Sequence, residues 1–365
     1  GSYFLQSLLD GNPQIVVMPN YYKYSDILQL KDLSISPNEW FDIFARNNLH
    51  PMIETSTKNY VETDSNLYRI IKEISKRLIG NQENIKIAYD SMTNENNITF
   101  MDFLVLINLS YALANKQNIK NIKSVFIPLH FLLTSLDKPI KGSQYYEGSL
   151  FQDILNDPRA KLLHITRDPR ANYGSGVYSD NKGGRWCCYA LLAIYRELNQ
   201  SINVFNNFNP DKYFLIKNED IHCNPKLTLS KLTDWLGIEF NYQIISKSTI
   251  CDIDWIGNSS YGKIDTFDNT LKSNKAWIKR ISKSELIVIE FIAAKYFSNY
   301  NYIPINKKIS IFKFLWHFFL FLLLTDIRNP CHSRKRNKFK TPFTSLKVFL
   351  ITAIKLVSEN KISYT

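Results

Sequence analysis

The sequence contains no Cys-x-x-Cys pair, no His-Glu-x-x-His motif and no carboxylate cluster at ligand spacing, so nothing in it specifies a metal centre. It also lacks a Gly-x-Ser-x-Gly elbow and any Ser/His/Asp arrangement suited to a nucleophilic hydrolase. A Walker Gly-Lys-Ser/Thr is absent, which excludes an ordinary ATP-binding loop. Cysteine is scarce: Cys187, Cys188, Cys223, Cys251 and Cys331 are scattered, odd in number and without a framework. They read as free thiols in a reducing compartment, and a cytoplasmic protein is the expectation. No repeat and no long Gly/Ser or Pro linker interrupts residues 1–305, and no DNA- or RNA-binding motif is present. Acidic residues are outnumbered, 33 against 45 Lys and Arg.

The resulting formal charge of +12 suits an anionic ligand, an acidic polymer or a membrane surface without choosing among them. At 365 residues and 45% hydrophobic, the chain can bury a full core. It opens on Gly1-Ser2 with no signal-like stretch. We expect either a shortened N-terminus, missing a first strand, or a cloning scar at these two residues.

The opening residues read as a short helix, a turn at Gly11-Asn12-Pro13 and a buried strand at Ile15–Met18. Residues 24–120 read as mainly helical, with a short apolar run at Ile85–Tyr89 that suggests a strand. Further on, strands at Ile122–His130, Ala160–Thr166 and Lys212–Lys217 alternate with helices at Trp186–Phe205, Pro225–Leu236 and Ser284–Phe297. This alternation argues for an α/β domain of three layers around a mostly parallel sheet.

After Pro304 the composition changes. Phe314–Leu324 is strongly apolar, Arg328–Lys340 is basic, and Phe343–Val357 is again apolar. The run from Ile309 to Leu324 includes Lys313 and His317 and falls short of the roughly 20 apolar residues needed to span a bilayer. We therefore divide the chain into a main domain, 1–305, and a helical extension, 306–365. An interfacial helix pair within 309–357, peripheral to the inner face of the membrane, fits this pattern. A hairpin covering an apolar patch and a dimer interface fit it as well.

The most informative local feature is Arg167-Asp168-Pro169-Arg170-Ala171, directly after an apolar strand, with Pro169 placed to open a helix. Cations at a strand end and a helix N-terminus make a phosphate site, to which backbone N–H groups and the helix dipole add. Ser175, on the same helix, is placed to reach that phosphate. An Arg167–Asp168 surface pair capping the helix is the structural alternative. Gly1-Ser2-Tyr3-Phe4-Leu5, followed by Ser7-Leu8-Leu9, has the form of the latter half of a phosphate-cradling loop entering a helix.

Together these segments, with Lys217-Asn218-Glu219-Asp220-Ile221 and Trp235-Leu236-Gly237-Ile238 in the same order, make residues 1–300 resemble the PAPS-dependent sulfotransferase family. PAPS is 3′-phosphoadenosine 5′-phosphosulfate. The resemblance implies a P-loop-type fold and PAPS as donor. It implies that Gly1, Ser2, Tyr3 and Phe4 bind the 5′-phosphosulfate and that Arg167 and Ser175 bind the 3′-phosphate. A hydroxyl or amine acceptor, expected to be a carbohydrate, would then take the sulfuryl group by direct in-line transfer. The family's loop cation would precede Gly1, and Asn218 replaces a Tyr that can stack on adenine; Trp255, Tyr261 and Trp277 are the aromatic alternatives. Asn258 and Ser259, in a segment resembling a late nucleotide-covering loop, are further candidates for the 3′-phosphate.

Sulfuryl transfer needs a base for the acceptor proton. His130 ends a strand on the ligand side and has a suitable ordinary pKa, with Glu54 as the alternative. His164 is expected in the strand interior, and His222 has no evident partner in sequence. An inactive nucleotide-binding module of the same fold is a second reading. A basic nucleic-acid-binding protein is a third, for which the 21 Tyr and 23 Phe would supply stacking.

Overall fold

A computed structural model describes residues 2–19, 36–46, 72–74, 76–78, 80–93, 98–128, 156–179, 209, 211–242, 247–255, 267 and 275–326. In chain order the elements begin α1 (Ser2–Leu9), β1 (Ile15–Val17), α2 (Pro37–Phe44), α3 (Gln82–Met92), α4 (Phe100–Ala114), β2 (Ser124–Phe126) and β3 (Leu162–Thr166). They continue α5 (Pro169–Ser179), β4 (Tyr213–Lys217), α6 (Asn218–Cys223), α7 (Pro225–Leu236), β5 (Thr249–Ile250) and β6 (Ile253–Asp254). The last are α8 (Lys283–Ile292), α9 (Ala294–Asn299) and α10 (Ile311–Asp326), after a 3₁₀ turn at Ala276–Lys279. Two units are formed: Gly1–Thr166 with Asn209–Asn269, and Arg167–Phe208 with Thr270–Thr365.

In the first unit β1 and β2 run parallel, Ile15 facing Ser124 and Val17 facing Phe126. β3 and β4 are also parallel, in register from Leu162–Tyr213 to Thr166–Lys217. The mixed α/β character and the parallel pairing are as the alternation of strands and helices implied. Among the described residues, however, the strands form three two-stranded ladders, the third being the antiparallel β5–β6 pair. The core gathers Leu5, Leu8 and Leu9 of α1 with Ile15, Val17, Ile216, Ile221 and the α7 residues Leu229 and Leu232. α7 stops at Gly237, whose φ of 74° lets the Ile238 N–H reach the Thr233 carbonyl at 3.0 Å.

The strand suggested at Ile85–Tyr89 is instead part of α3. A strand would have buried Ile85, Ile87 and Tyr89 together. Ile85, Ala88 and Tyr89 are buried while Ile87 is 62% exposed, which is helical spacing. α4 begins on a capping box in which Thr99 and Asp102 satisfy each other's backbone N–H groups. Phe103 of α4 then meets Trp40, Phe44 and Tyr89 edge-on.

In the second unit Ser282 and Glu285 form a capping box for α8. The single helix expected over Ser284–Phe297 is broken at Ala293, so α8 and α9 are separate. α10 packs on α8 through Phe314, whose ring stacks on Phe291 at 4.1 Å. The expected helix at Trp186–Phe205 and the segments 328–340 and 343–357 lie outside the described residues.

Candidate functional site

The α1 segment is helical from Ser2 and runs directly into the core of the first unit. Gln6 Nε2 donates to the Met18 carbonyl at 2.9 Å, tying α1 to the end of β1. Phe4 lies flat on His222 of α6, with ring centroids 4.6 Å apart, and meets Phe267 edge-on at 6.0 Å. His222, without an evident partner in sequence, is therefore buried against the candidate phosphosulfate segment. Ser2 and Tyr3 are placed as backbone at the start of α1, whereas Gly1 lies outside the described residues.

A third segment joins them. Ser7 Oγ lies 2.6 Å from Ser248 Oγ, and Asp10 Oδ2 accepts from Thr249 Oγ1 at 3.0 Å and from the Asp252 N–H at 3.4 Å. Cys251 and Asp252 have φ of 53° and 58°, so the β5–β6 hairpin turns on two left-handed residues, where Asn-Gly is the usual choice. The strands and helices that carry residues 2–9, 218–222 and 248–255 thus converge in one unit. Nothing in the sequence marked the partners of Ser7 and Asp10, which lie about 240 positions away.

Burial pushes the Asp10 carboxyl up to about 6, although the hydrogen bonds from Thr249 and Asp252 pull the other way. His164 of β3 moves in the opposite sense. Burial lowers it to about 4, and its Nδ1 meets the Tyr213 hydroxyl at 2.5 Å. Asp10 therefore contributes stability that is complete below pH 3.8 and is lost as pH rises through 6. His164 contributes stability that is complete above pH 6.5 and is lost as pH falls toward 4. The two slopes oppose each other. Asp10→Asn keeps an oxygen for both donors and removes one slope, so its stability should climb from pH 4 to pH 7. Above pH 7 it should exceed the wild type by up to roughly 3 kcal/mol. Urea unfolding across that range measures both, and a variant weaker than wild type above pH 7 would show that the charged carboxylate is required.

The Arg167–Ala171 turn follows β3 as its sequence implied. Pro169 is the first residue of α5, and Asp168 caps the helix by accepting the Arg170 N–H at 2.8 Å. The two arginines of the motif have different environments. Arg170 is 6% exposed and grips Asp168 at 2.7 Å and Glu290 at 2.8 Å. Its guanidinium lies 4.7 Å from the Trp277 ring centre and 4.9 Å from that of Phe297. Burial disfavours its charge, but the two carboxylates outweigh that and hold its pKa above the usual value. Arg170, which was not among the residues expected to bind the phosphate, is thus held inside the protein by Asp168 and Glu290.

Gly174 fixes how closely α5 approaches the 3₁₀ turn, since a Cβ there would stand 2.8 Å from the Trp277 Cβ. Trp277 is buried beneath Arg170, and Trp255 packs on Ile74, Leu78 and Ile250, so two of the three aromatic alternatives for adenine are engaged in packing. Arg167 is partly buried beside the capping Asp168, and Ser175 is placed as backbone on α5. His130, Glu54, Tyr261, Asn258 and Ser259 lie outside the described residues.

Among the described residues no group of His, Cys, Asp and Glu could hold a metal ion. A hollow of about 360 Å³ in the second unit is walled by Glu290, Lys295, Tyr302 and Asn306, and none of the candidate site residues lines it. No family model matches the chain, and no curated protein matches it either. Two solved structures do. One is a sulfotransferase domain from the Synechococcus PCC 7002 olefin synthase, 13% identical, with a TM-score of 0.45 over 83% of this chain and 91% of that one. The other is a sulfotransferase domain from the curacin biosynthetic pathway, 14% identical, with a TM-score of 0.42 over 81% and 93%. The chain is structurally similar to sulfotransferase domains at low sequence identity.

Proposed function

We propose that the protein is a sulfotransferase that uses PAPS as donor and a hydroxyl or amine as acceptor, with a glycan as the acceptor class to test first. The observation that carries the proposal is the turn after β3. A parallel strand delivers Arg167 to the N-terminus of a helix capped by Asp168, while Asp168 and Glu290 hold Arg170 in place behind it. That arrangement fits an anion, because a strand-end cation and the first N–H groups of a helix act on it together. Arg167 and Ser175 bind the 3′-phosphate, and the backbone of Gly1, Ser2, Tyr3 and Phe4 binds the phosphosulfate end. Asn258 and Ser259 add contacts to the 3′-phosphate. Residues 1–305 form the transferase portion and 306–365 its extension.

PAPS supplies a sulfuryl group on a good leaving phosphate. The acceptor oxygen or nitrogen attacks sulfur in line, the bond from sulfur to the phosphate oxygen breaks, and PAP departs. His130 takes the acceptor's proton, with Glu54 as the alternative base.

Calorimetric titration with PAP beside AMP tests the donor site. PAP should bind tightly and AMP far more weakly, since only the 3′-phosphate distinguishes them, and equal affinities would refute the assignment. With PAPS and a glycan panel, His130→Ala should abolish turnover while leaving PAP affinity intact. If PAP binds but no acceptor turns over, the chain is a nucleotide-binding module rather than an enzyme.

A further inference from the structure

α10 has two apolar faces, and among the described residues one of them is packed and the other is exposed. Phe314, Phe318 and Phe321 are buried against the second unit, stacking in sequence onto Phe291 of α8. Phe312, Trp316 and Phe319, at positions i, i+4 and i+7, form a second stripe that is 81%, 60% and 45% exposed. From Ile311 to Leu324 the helix has no polar residue except Lys313 and His317. Both of these are engaged at the flank, Lys313 Nζ with Asn306 at 3.4 Å and His317 Nδ1 with Ser284 at 3.1 Å. A helix facing only water carries charges on its outer face, and a row of exposed aromatic rings marks an interaction surface.

The charge around the stripe selects its partner. Lys307 and Lys308 are exposed just before the helix, and the loop that leads to them exposes Ile303 and Ile305. Between Asp326 and Glu359 the sequence has eight Lys or Arg residues and no Asp or Glu. Aromatic rings on a helix flanked along the sequence by cations suit an anionic bilayer surface, where Trp and Phe settle at the headgroup level and cations meet lipid phosphates. The helix, with 16 residues, is about 24 Å long, less than the ~30 Å of a hydrocarbon core. Its other face is fixed to α8. No helix among the described residues is long and apolar enough to cross a membrane. We propose that the outer face of α10, through Phe312, Trp316 and Phe319, docks the protein on an anionic lipid surface. This inference rests on α10 and its surroundings and is independent of the donor chemistry.

Sedimentation of the full chain with vesicles of phosphatidylcholine, alone or mixed with phosphatidylglycerol, tests it. The protein should pellet with the anionic vesicles and much less with the neutral ones. The combined Phe312→Ser, Trp316→Ser and Phe319→Ser variant, altered only at exposed positions, should melt like the wild type and lose ~100-fold or more in partitioning. Brominated lipid should quench Trp fluorescence in the wild type, and Trp316→Phe should lose that quenching while still pelleting. Three results would overturn the proposal: no association with anionic vesicles, association that the triple variant leaves unchanged, or a wild-type dimer that the triple variant converts to monomer. The last would assign the face to a second copy of the chain. Shielding of Trp316 from an aqueous quencher without lipid would also overturn it, by showing that the chain covers this face itself.

Discussion

Arg167→Ala should lower PAP affinity on the order of 10- to 150-fold while leaving AMP affinity unchanged, so that the gap between the two nucleotides narrows by that factor. The size follows from the chemistry of the contact. A hydrogen bond from a guanidinium to a phosphate contributes about 1.5–3 kcal/mol net, and each 1.4 kcal/mol is about tenfold in affinity. The selectivity follows from the ligand, because AMP has no 3′-phosphate for Arg167 to hold. Arg167→Lys should fall between the two, since an ammonium retains the charge but loses the planar fork that grips two oxygens at once. Calorimetry on the three proteins gives the ratios directly, with a thermal melt alongside each. Equal losses for PAP and AMP would mean that the substitution disturbs the turn as a whole. An unchanged PAP affinity would remove Arg167 from the site and, with it, the main support for the donor assignment.

Much of this turn was legible in the sequence because the interactions that shape it are local. The strand, Asp168 and Pro169 at the helix start lie within a few positions of one another; the strand and Pro169 stand as expected, and Asp168 caps the helix as the structural alternative had it. The same holds for the end of α7, where Gly237 alone dictates the left-handed cap. What the sequence did not reveal depended on partners far along the chain. The motif gives no sign that Arg170 is buried, because its partner Glu290 lies 120 positions later. The sequence around His222 does not show that its ring is covered by Phe4 from the first helix. The strand suggested at Ile85–Tyr89 failed for another reason. A short apolar run satisfies both periodicities, and the exposure of Ile87 settles it only in three dimensions.

The largest stability effect should come from Arg170. Arg170→Met is expected to cost about 3–5 kcal/mol, a substantial share of what holds a domain folded. The methionine stem can still lie between Trp277 and Phe297, so the loss isolates the charge rather than the packing. The cost arises mainly at Glu290, whose side chain has 0% exposure and would lose its cation. Glu290 would keep three donors, the N–H groups of Ile305 at 2.7 Å and Asn306 at 2.9 Å and the Asn306 amide at 2.8 Å. These solvate a carboxylate only in part. A glutamine needs no counter-ion, so Glu290→Gln combined with Arg170→Met should be less destabilised than the two single variants summed, by about 1–3 kcal/mol. Urea unfolding of the four proteins closes the cycle, and simple additivity would mean that the buried pair is not coupled. The network also ties the Arg167 turn to the backbone at Ile303, which accepts from Arg170 at 3.1 Å. Arg170→Met should therefore weaken PAP binding as well as folding, whereas Arg167→Ala should act on binding alone. The contrast between the two variants separates the residue proposed to touch the phosphate from the one proposed to position it.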